Sequence, residues 1–202
     1  LQHNGRPMDK VTLAETLGLE RLEVNLFRGT TPDKEQRQRI YGGQVIAQSL
    51  LAAYETVEDR ICHSLHCYFI RPGDPKIPIV FEVDRSRDGG SFTTRRVIAV
   101  QHGQQIFNLA ASFQVAEDGY EHQSDQPEAP AWDDVEDDSA VRKRLAALAP
   151  DDEDWIDREQ PIEMRTVGGR NDSAAPPAQG PNQQVWFRAR HPIGDDQPMH
   201  QV

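Results

Sequence analysis

The sequence predicts an α+β fold in which an antiparallel sheet wraps around one apolar helix. Three observations predict it. The stretch RIYGGQVIAQSLLAAYETV (39–57) has helical length, is apolar nearly all round and, past Gly43, holds no Pro or Gly. The periodicity after it switches from helical to alternating. Turn signals then divide the alternating region at short intervals. A helix apolar on every side has to be enclosed, and a sheet that covers it buries its own apolar face in doing so.

Taken in chain order, residues 9–24 (DKVTLAETLGLERLEV) set Val11, Leu13, Leu17, Leu19, Leu22 and Val24 among polar residues, as a short amphipathic helix running into a strand. NLFRG (25–29) leads to the polar turn TTPDKEQ. Gly42 and Gly43 open the long helix, whose body is Val45, Ile46, Ala47, Leu50, Leu51, Ala52, Ala53 and Tyr54. In ICHSLHCYFI (61–70), strict alternation puts Ile61, His63, Leu65, Cys67 and Phe69 on one face and Cys62, Ser64, His66, Tyr68 and Ile70 on the other. RPGDPK (71–76) reads as a turn, IPIVFEVDRSR (77–87) as a second strand and DGG (88–90) as a hairpin signal. SFTTRRVIAVQHG (91–103) and QQIFNLAASFQVA (104–116) complete a meander, turning at Gly103. The expected order is helix, strand, buried helix, then four consecutive strands, which is the hotdog arrangement.

Charge sets this body apart from the next stretch of chain. The 202 residues hold 33 acidic and 22 basic side chains, a net charge of -11, which argues against a nucleic-acid partner that needs a basic face. Residues 116–160 alone hold 16 acidic and 4 basic side chains, so the rest is nearly neutral. This acidic part, with QPEAPAWDDVEDDS (126–139), PDDEDW (150–155) and Pro127, Pro130 and Pro150 as breakers, reads as a solvated linker. A short helix near 139–149 interrupts it, with Val141, Leu145 and Leu148 on one face. A docking site for a basic partner is the alternative reading of the same charges.

Four segments result: 1–8 as an upstream remnant or an unstructured start, 9–116 as the first hotdog domain, 117–160 as the linker, and 161–202 as the first strands of an incomplete second hotdog. In the last, PIEMRTV (161–167) and QQVWFRARH (183–191) read as strands around a Gly- and Pro-rich loop. PIGDDQPMHQV (192–202) reads as the approach to a helix capped by Asp195 or Asp196. No apolar run nears the roughly 20 residues a membrane helix needs, and the start lacks a signal-peptide layout. Cys62 and Cys67 fall on opposite faces of their strand by alternation, which disfavours a disulfide and favours the cytoplasm. The same test on His63 and His66 disfavours a metal site.

NLFRG, RIYGGQVIAQSL, HSLHCYFIRPGD, SRDGGSFTTRRV and QQIFNLAASFQ stand in this order, and with GYEHQ (119–123), QQVWFRAR and the terminal MHQV they closely resemble the acyl-CoA thioesterase II family. The resemblance implies a double hotdog that hydrolyses medium- to long-chain acyl-CoA to fatty acid and CoA by activated water, without a cofactor. It also implies a catalytic trio of aspartate, threonine or serine, and glutamine on the second hotdog, beyond the stretch matching MHQV. On that reading the 202 residues hold none of the trio and are inactive alone.

Thioester hydrolysis needs a site for a developing oxyanion, and the N-terminus of a buried helix offers unpaired N–H groups and a positive dipole end. Gly42, Gly43 and Gln44 are candidate substrate-binding residues on that ground, the alternative being a plain turn into the helix. Asp88, Gly89, Gly90 and Ser91 read first as a turn; the resemblance adds a role lining the acyl or pantetheine channel. His63 is a candidate base or a packed, hydrogen-bonded core residue. Arg71, Arg95 and Arg96 are candidate contacts for CoA phosphates or surface ion-pair partners. Alternatives to a thioesterase are a non-catalytic acyl-CoA binding or oligomerisation module and, last, a hydratase, for which residues 42–50 lack the aspartate and histidine. A lone hotdog leaves an uncovered strand edge, so a homo-oligomer through sheet packing is expected.

Overall fold

The computed structural model describes residues 12–32, 38–146, 160–168 and 182–193. The expectations for 1–8, Leu148 and the capped helix after 193 lie outside them, as does the side chain of Leu145. The chain falls into two compact bodies, one built on Ala14–Tyr120 and one on Glu121–Pro192.

In the first body, helix α1 (Leu13–Leu17) precedes strands β1 (Leu19–Glu23) and β2 (Leu26–Gly29). Helix α2 (Gly42–Tyr54) is followed by β3 (Ile61–Phe69), β4 (Ile79–Asp88), β5 (Phe92–Gln101) and β6 (Gln104–Gln114). The six strands form one antiparallel sheet in the order β1-β2-β4-β5-β6-β3, curled around α2 as the hotdog arrangement requires. Alternation builds the core: Phe81 and Val83 of β4, Val97 and Ala99 of β5 and Leu109, Ala111 and Phe113 of β6 all point inward to Val45, Ala52 and Ala53 of α2. Tyr54 meets Phe113 edge to face at 4.9 Å, an arrangement contributing about 1 kcal/mol beyond area burial.

Three local features depart from the expected pattern. Residues 19–29 form a two-stranded hairpin rather than one strand, because Val24 and Asn25 make a turn. β3 is not the neighbour of β4: it pairs with β6 at the far edge, while β4 pairs with β2. The connector 70–78 carries Pro72, Pro75 and Pro78 and does turn at Asp74–Ile77, but it leads from one edge of the sheet back to β4 instead of closing a hairpin. It is fastened by Ile40 N–H to Gly73 O at 3.0 Å and by buried Gln101, which donates to Asp74 O and Ile77 O. Third, the β3–β6 register shifts between Cys62 and Ser64. The extra residue, His63, breaks the alternation. Cys62 and Cys67 therefore both lean on the core instead of facing opposite ways, and both are free thiols. Burial pushes the Cys62 thiol above its ordinary range, against a weaker effect of its hydrogen bond to Ser64.

The second body holds a turn of 3-10 helix (Trp132–Asp134), helix α3 (Asp138–Ala146) and the antiparallel pair β7 (Ile162–Thr166) and β8 (Val185–Ala189). Among its described residues the acidic stretch is exposed through residue 131 and again at Asp133, Asp134 and Glu136, while Val135 and Asp138 are buried. No helix among the described residues is long and apolar enough to cross a membrane.

Candidate functional site

The candidate residues lie at opposite ends of α2. At its start, Tyr41 is the N-cap with extended backbone and no side-chain cap, and its carbonyl accepts the Gln44 and Val45 N–H groups. Helix geometry leaves the first N–H groups without intrahelical partners. A Cβ on Gly42 would stand 2.9 Å from the Phe69 ring, and one on Gly43 would stand 2.5 Å from the Tyr41 ring. The two glycines thus let aromatic rings lie directly against the first turn. Those rings are themselves open to solvent, Tyr41 at 64% and Phe69 at 57% exposure.

Gln44 does not share that opening. It is buried, and its amide donates to Thr30 O at 3.2 Å and Thr31 Oγ1 at 3.1 Å. Gln48, one helical turn on, donates to Thr16 O at 2.9 Å and Thr30 O at 3.3 Å. Together they tie the N-terminal segment to the helix, a role with no signal in a single sequence.

The 88–91 turn lies by the other end, roughly 18 Å along the helix axis from Gly42 at 1.5 Å per residue. Thr56, just past α2, receives the Arg95 guanidinium twice, through Oγ1 at 2.8 Å and its carbonyl at 2.9 Å. Arg95 also donates to Arg87 O at 3.1 Å, Thr94 O at 3.0 Å and Asp88 Oδ1 at 2.5 Å. These five bonds use all five donors of a guanidinium, and Arg95 is 1% exposed. It has no donor left for a phosphate, so its place among the CoA-contact candidates is corrected to a structural one. The signal was in the alternation, since Arg95 shares its parity with Thr93, Val97 and Ala99.

Arg60 grips the same turn from the loop after α2, donating to Gly89 O at 2.9 Å, Gly90 O at 2.7 Å and Thr93 Oγ1 at 2.6 Å. The hydrogen bond from Arg95 holds the Asp88 carboxyl below its ordinary range, helped by the charges of Arg95, Arg85 and Arg60. Ser91 accepts the Val115 N–H through its carbonyl at 3.2 Å. The turn is a fixed feature whose outer surface at Gly90 and Ser91 stays exposed.

Of the other candidates, Arg71 is exposed and holds Gln105 O at 2.7 Å, and Arg96 is exposed across from Asp84 in register. His63 is exposed rather than in the core, because the bulge turns it out. Its Nε2 lies 2.9 Å from Ser112 Oγ, with its ring edge-on to Phe92. The helix itself carries no acid, base or nucleophile except Ser49 and Tyr54, both buried.

Residues 30–114 match the family model of the acyl-CoA thioesterase N-terminal domain. That stretch of the chain belongs to this family. The chain is 38% identical to acyl-coenzyme A thioesterase 8 of Rattus norvegicus over 94% of its own length and 62% of the relative. It is 40% identical to acyl-CoA thioesterase 2 of Haemophilus influenzae over 76% of this chain and 54% of the relative. An acyl-CoA thioesterase II from Mycobacterium marinum superposes with a TM-score of 0.68 at 43% identity, over 93% of this chain and 64% of that one. A hot dog fold protein from Alicyclobacillus acidocaldarius, 21% identical with a TM-score of 0.66 over 89% of this chain and 64% of that one, shares the fold. The chain thus spans less than two thirds of the relatives it matches. The match covers both ends of α2, so the Gly42–Gly43 opening and the 88–91 turn belong to the family's N-terminal domain.

Proposed function

We propose that the chain is the N-terminal portion of an acyl-CoA thioesterase, which hydrolyses medium- to long-chain acyl-CoA to fatty acid and CoA. The family match over 30–114 carries this reading. In it, Gly42 and Gly43 present backbone N–H groups to a carbonyl oxygen, where a dipole end and two donors favour the oxyanion. The turn Asp88–Ser91 stands at the other end of the same helix as a second wall for an extended ligand. Because α2 has no residue to activate water, the catalytic part is placed on a second hotdog, of which β7 and β8 are the first strands. The open apolar face of that pair, with Met164 and the largely exposed Phe187, supports the assignment. Self-association through the sheet belongs to the same proposal, as does a cytoplasmic setting, which two free thiols suit.

The 202-residue chain is expected to bind a long-chain acyl-CoA saturably in calorimetry while releasing no thiol in a parallel assay. Thiol release above the uncatalysed rate would overturn the assignment of chemistry to the second hotdog. Saturable binding without turnover, persisting in the longest natural form of the protein, would favour a binding module instead.

A further inference from the structure

Within the acidic stretch, expected to be solvated, residues 128–131 run along the β7–β8 pair without helical structure up to the 3-10 turn at Trp132–Asp134. Carbonyls of the stretch at every second residue accept side-chain donors from the strands and their flank. Gln184 Nε2 donates to Glu128 O at 3.0 Å, Trp186 Nε1 to Pro130 O at 3.0 Å, and Arg165 Nη1 to Trp132 O at 2.9 Å. Arg165 then reaches on to Val135 O at 2.9 Å. Ala131, between the second and third of these carbonyls, has φ -60 and ψ 153, close to polyproline II. The segment reads Pro127-Glu128-Ala129-Pro130, the spacing of a polyproline II ligand.

The end of the segment is anchored as well as its backbone. The Trp132 ring lies against two guanidiniums, Arg165 at 4.6 Å and Arg188 at 4.3 Å. Both guanidiniums are set by buried Glu163, which accepts from Arg165 at 2.9 Å and from Arg188 at 3.0 Å. Asp137 takes Arg190 at 3.0 Å, and Asp138 accepts both the Thr166 N–H and hydroxyl at 2.8 Å. Regular alternation puts Glu163, Arg165, Gln184, Trp186 and Arg188 on one face of the strand pair, so the grip is a continuous surface.

We propose that this face of β7–β8 is a binding surface for an acidic, proline-containing peptide that runs up to a tryptophan anchor, and that residues 128–138 are its built-in ligand, a strap held in cis. Recognition has the three parts such surfaces use: an indole N–H and other donors for the carbonyls, an aromatic anchor, and charge complementarity. A strap tethered this closely competes at an effective concentration in the millimolar range, so the surface is masked until the strap is weakened.

The experiment uses the full 202-residue chain and a fluorescein-labelled synthetic peptide of residues 126–138. Trp132→Ser weakens the strap and leaves every residue of the receiving face intact. This variant is expected to bind the peptide at least tenfold tighter than the wild type, and adding Trp186→Phe, which deletes the donor to Pro130, is expected to reverse most of that gain. Equal binding by wild type and Trp132→Ser, or none by either, overturns the proposal. Should Trp132→Ser lose its fold, cleavage of the strap by a protease specific for acidic residues decides instead. Folded Trp186→Phe is expected to be cut at least fivefold faster than wild type between 128 and 138, and an unchanged rate overturns the proposal.

Discussion

Arg95 is a cation in a core, and what makes it tolerable is that none of its five donors is left over. Lysine at this position keeps the charge but not the planar fork, and its three donors cannot reach five acceptors. Arg95→Lys is therefore expected to cost about 2 kcal/mol through buried acceptors left unpaired, read as a lower urea midpoint. An unchanged midpoint would remove Arg95 from the centre of the network. Ser49 makes the opposite case. It is wholly buried in α2, and among the described residues its hydroxyl finds no hydrogen-bond partner. Ser49→Ala removes an unsatisfied group and installs a better helix former, so a gain of about 1 kcal/mol is expected. Loss of stability would mean that the hydroxyl is paired. Arg95 was legible as an inward position of an alternating strand, whereas the glutamines of α2 were not, because their acceptors are backbone carbonyls distant in sequence.

Elements with strong periodicity were legible: α2 and the β4–β5–β6 meander stand where their patterns put them. What failed was what periodicity cannot encode. One inserted residue at His63 reverses the facing of the residues before it, and so brings Cys62 to the side of Cys67. Strand order failed for a related reason, since the pairing partner of β3 is chosen by packing across the body, not by its neighbour in the chain. The β7–β8 pair shows the same limit for charge. Most of the described carboxylates stay exposed as the run of charge suggests, but Asp137 takes Arg190, and the Trp132 and Val135 carbonyls take Arg165, partners too distant in sequence to be read from the pattern. Burial raises the Glu163 carboxyl, but hydrogen bonds from Arg165 and Arg188 and their charges outweigh it and hold its pKa below the ordinary value. Asp137 is likewise held low: its hydrogen bonds with Ser139 and Arg190 overcome the effect of burial. A depressed carboxyl stabilises the native state above its ordinary pKa and loses that contribution as the pH falls through the native one. The second body is thus expected to loosen below about pH 4, seen as a change in tryptophan fluorescence. A signal flat from neutral pH down to 2 would contradict the ion-pair account.

At the scale of the whole molecule the sheet has two unlike edges. The β1 edge carries Glu20, Arg21 and Glu23, with Glu20 paired to Arg28. The β3 edge, ICHSLHCYF, carries no carboxylate, lysine or arginine, and exposes Ile61, Leu65, Tyr68 and Phe69. Charges on an edge strand deter pairing with another chain, and an apolar edge without them invites it. The proposed self-association is therefore assigned to β3, where a second copy running antiparallel would satisfy the free backbone groups of both edges in a closed, two-fold arrangement. Leu65 sits at the midpoint of the strand, close to where such an axis falls, so one substitution there acts on both copies at once. In sedimentation velocity the wild type is expected to show a concentration-dependent dimer and Leu65→Lys a monomer at every concentration. Glu23→Lys, a charge change on the opposite edge, is expected to leave the dimer as it is. A wild type that stays monomeric at high concentration, or a Leu65→Lys variant that dimerises like it, would take the interface away from β3.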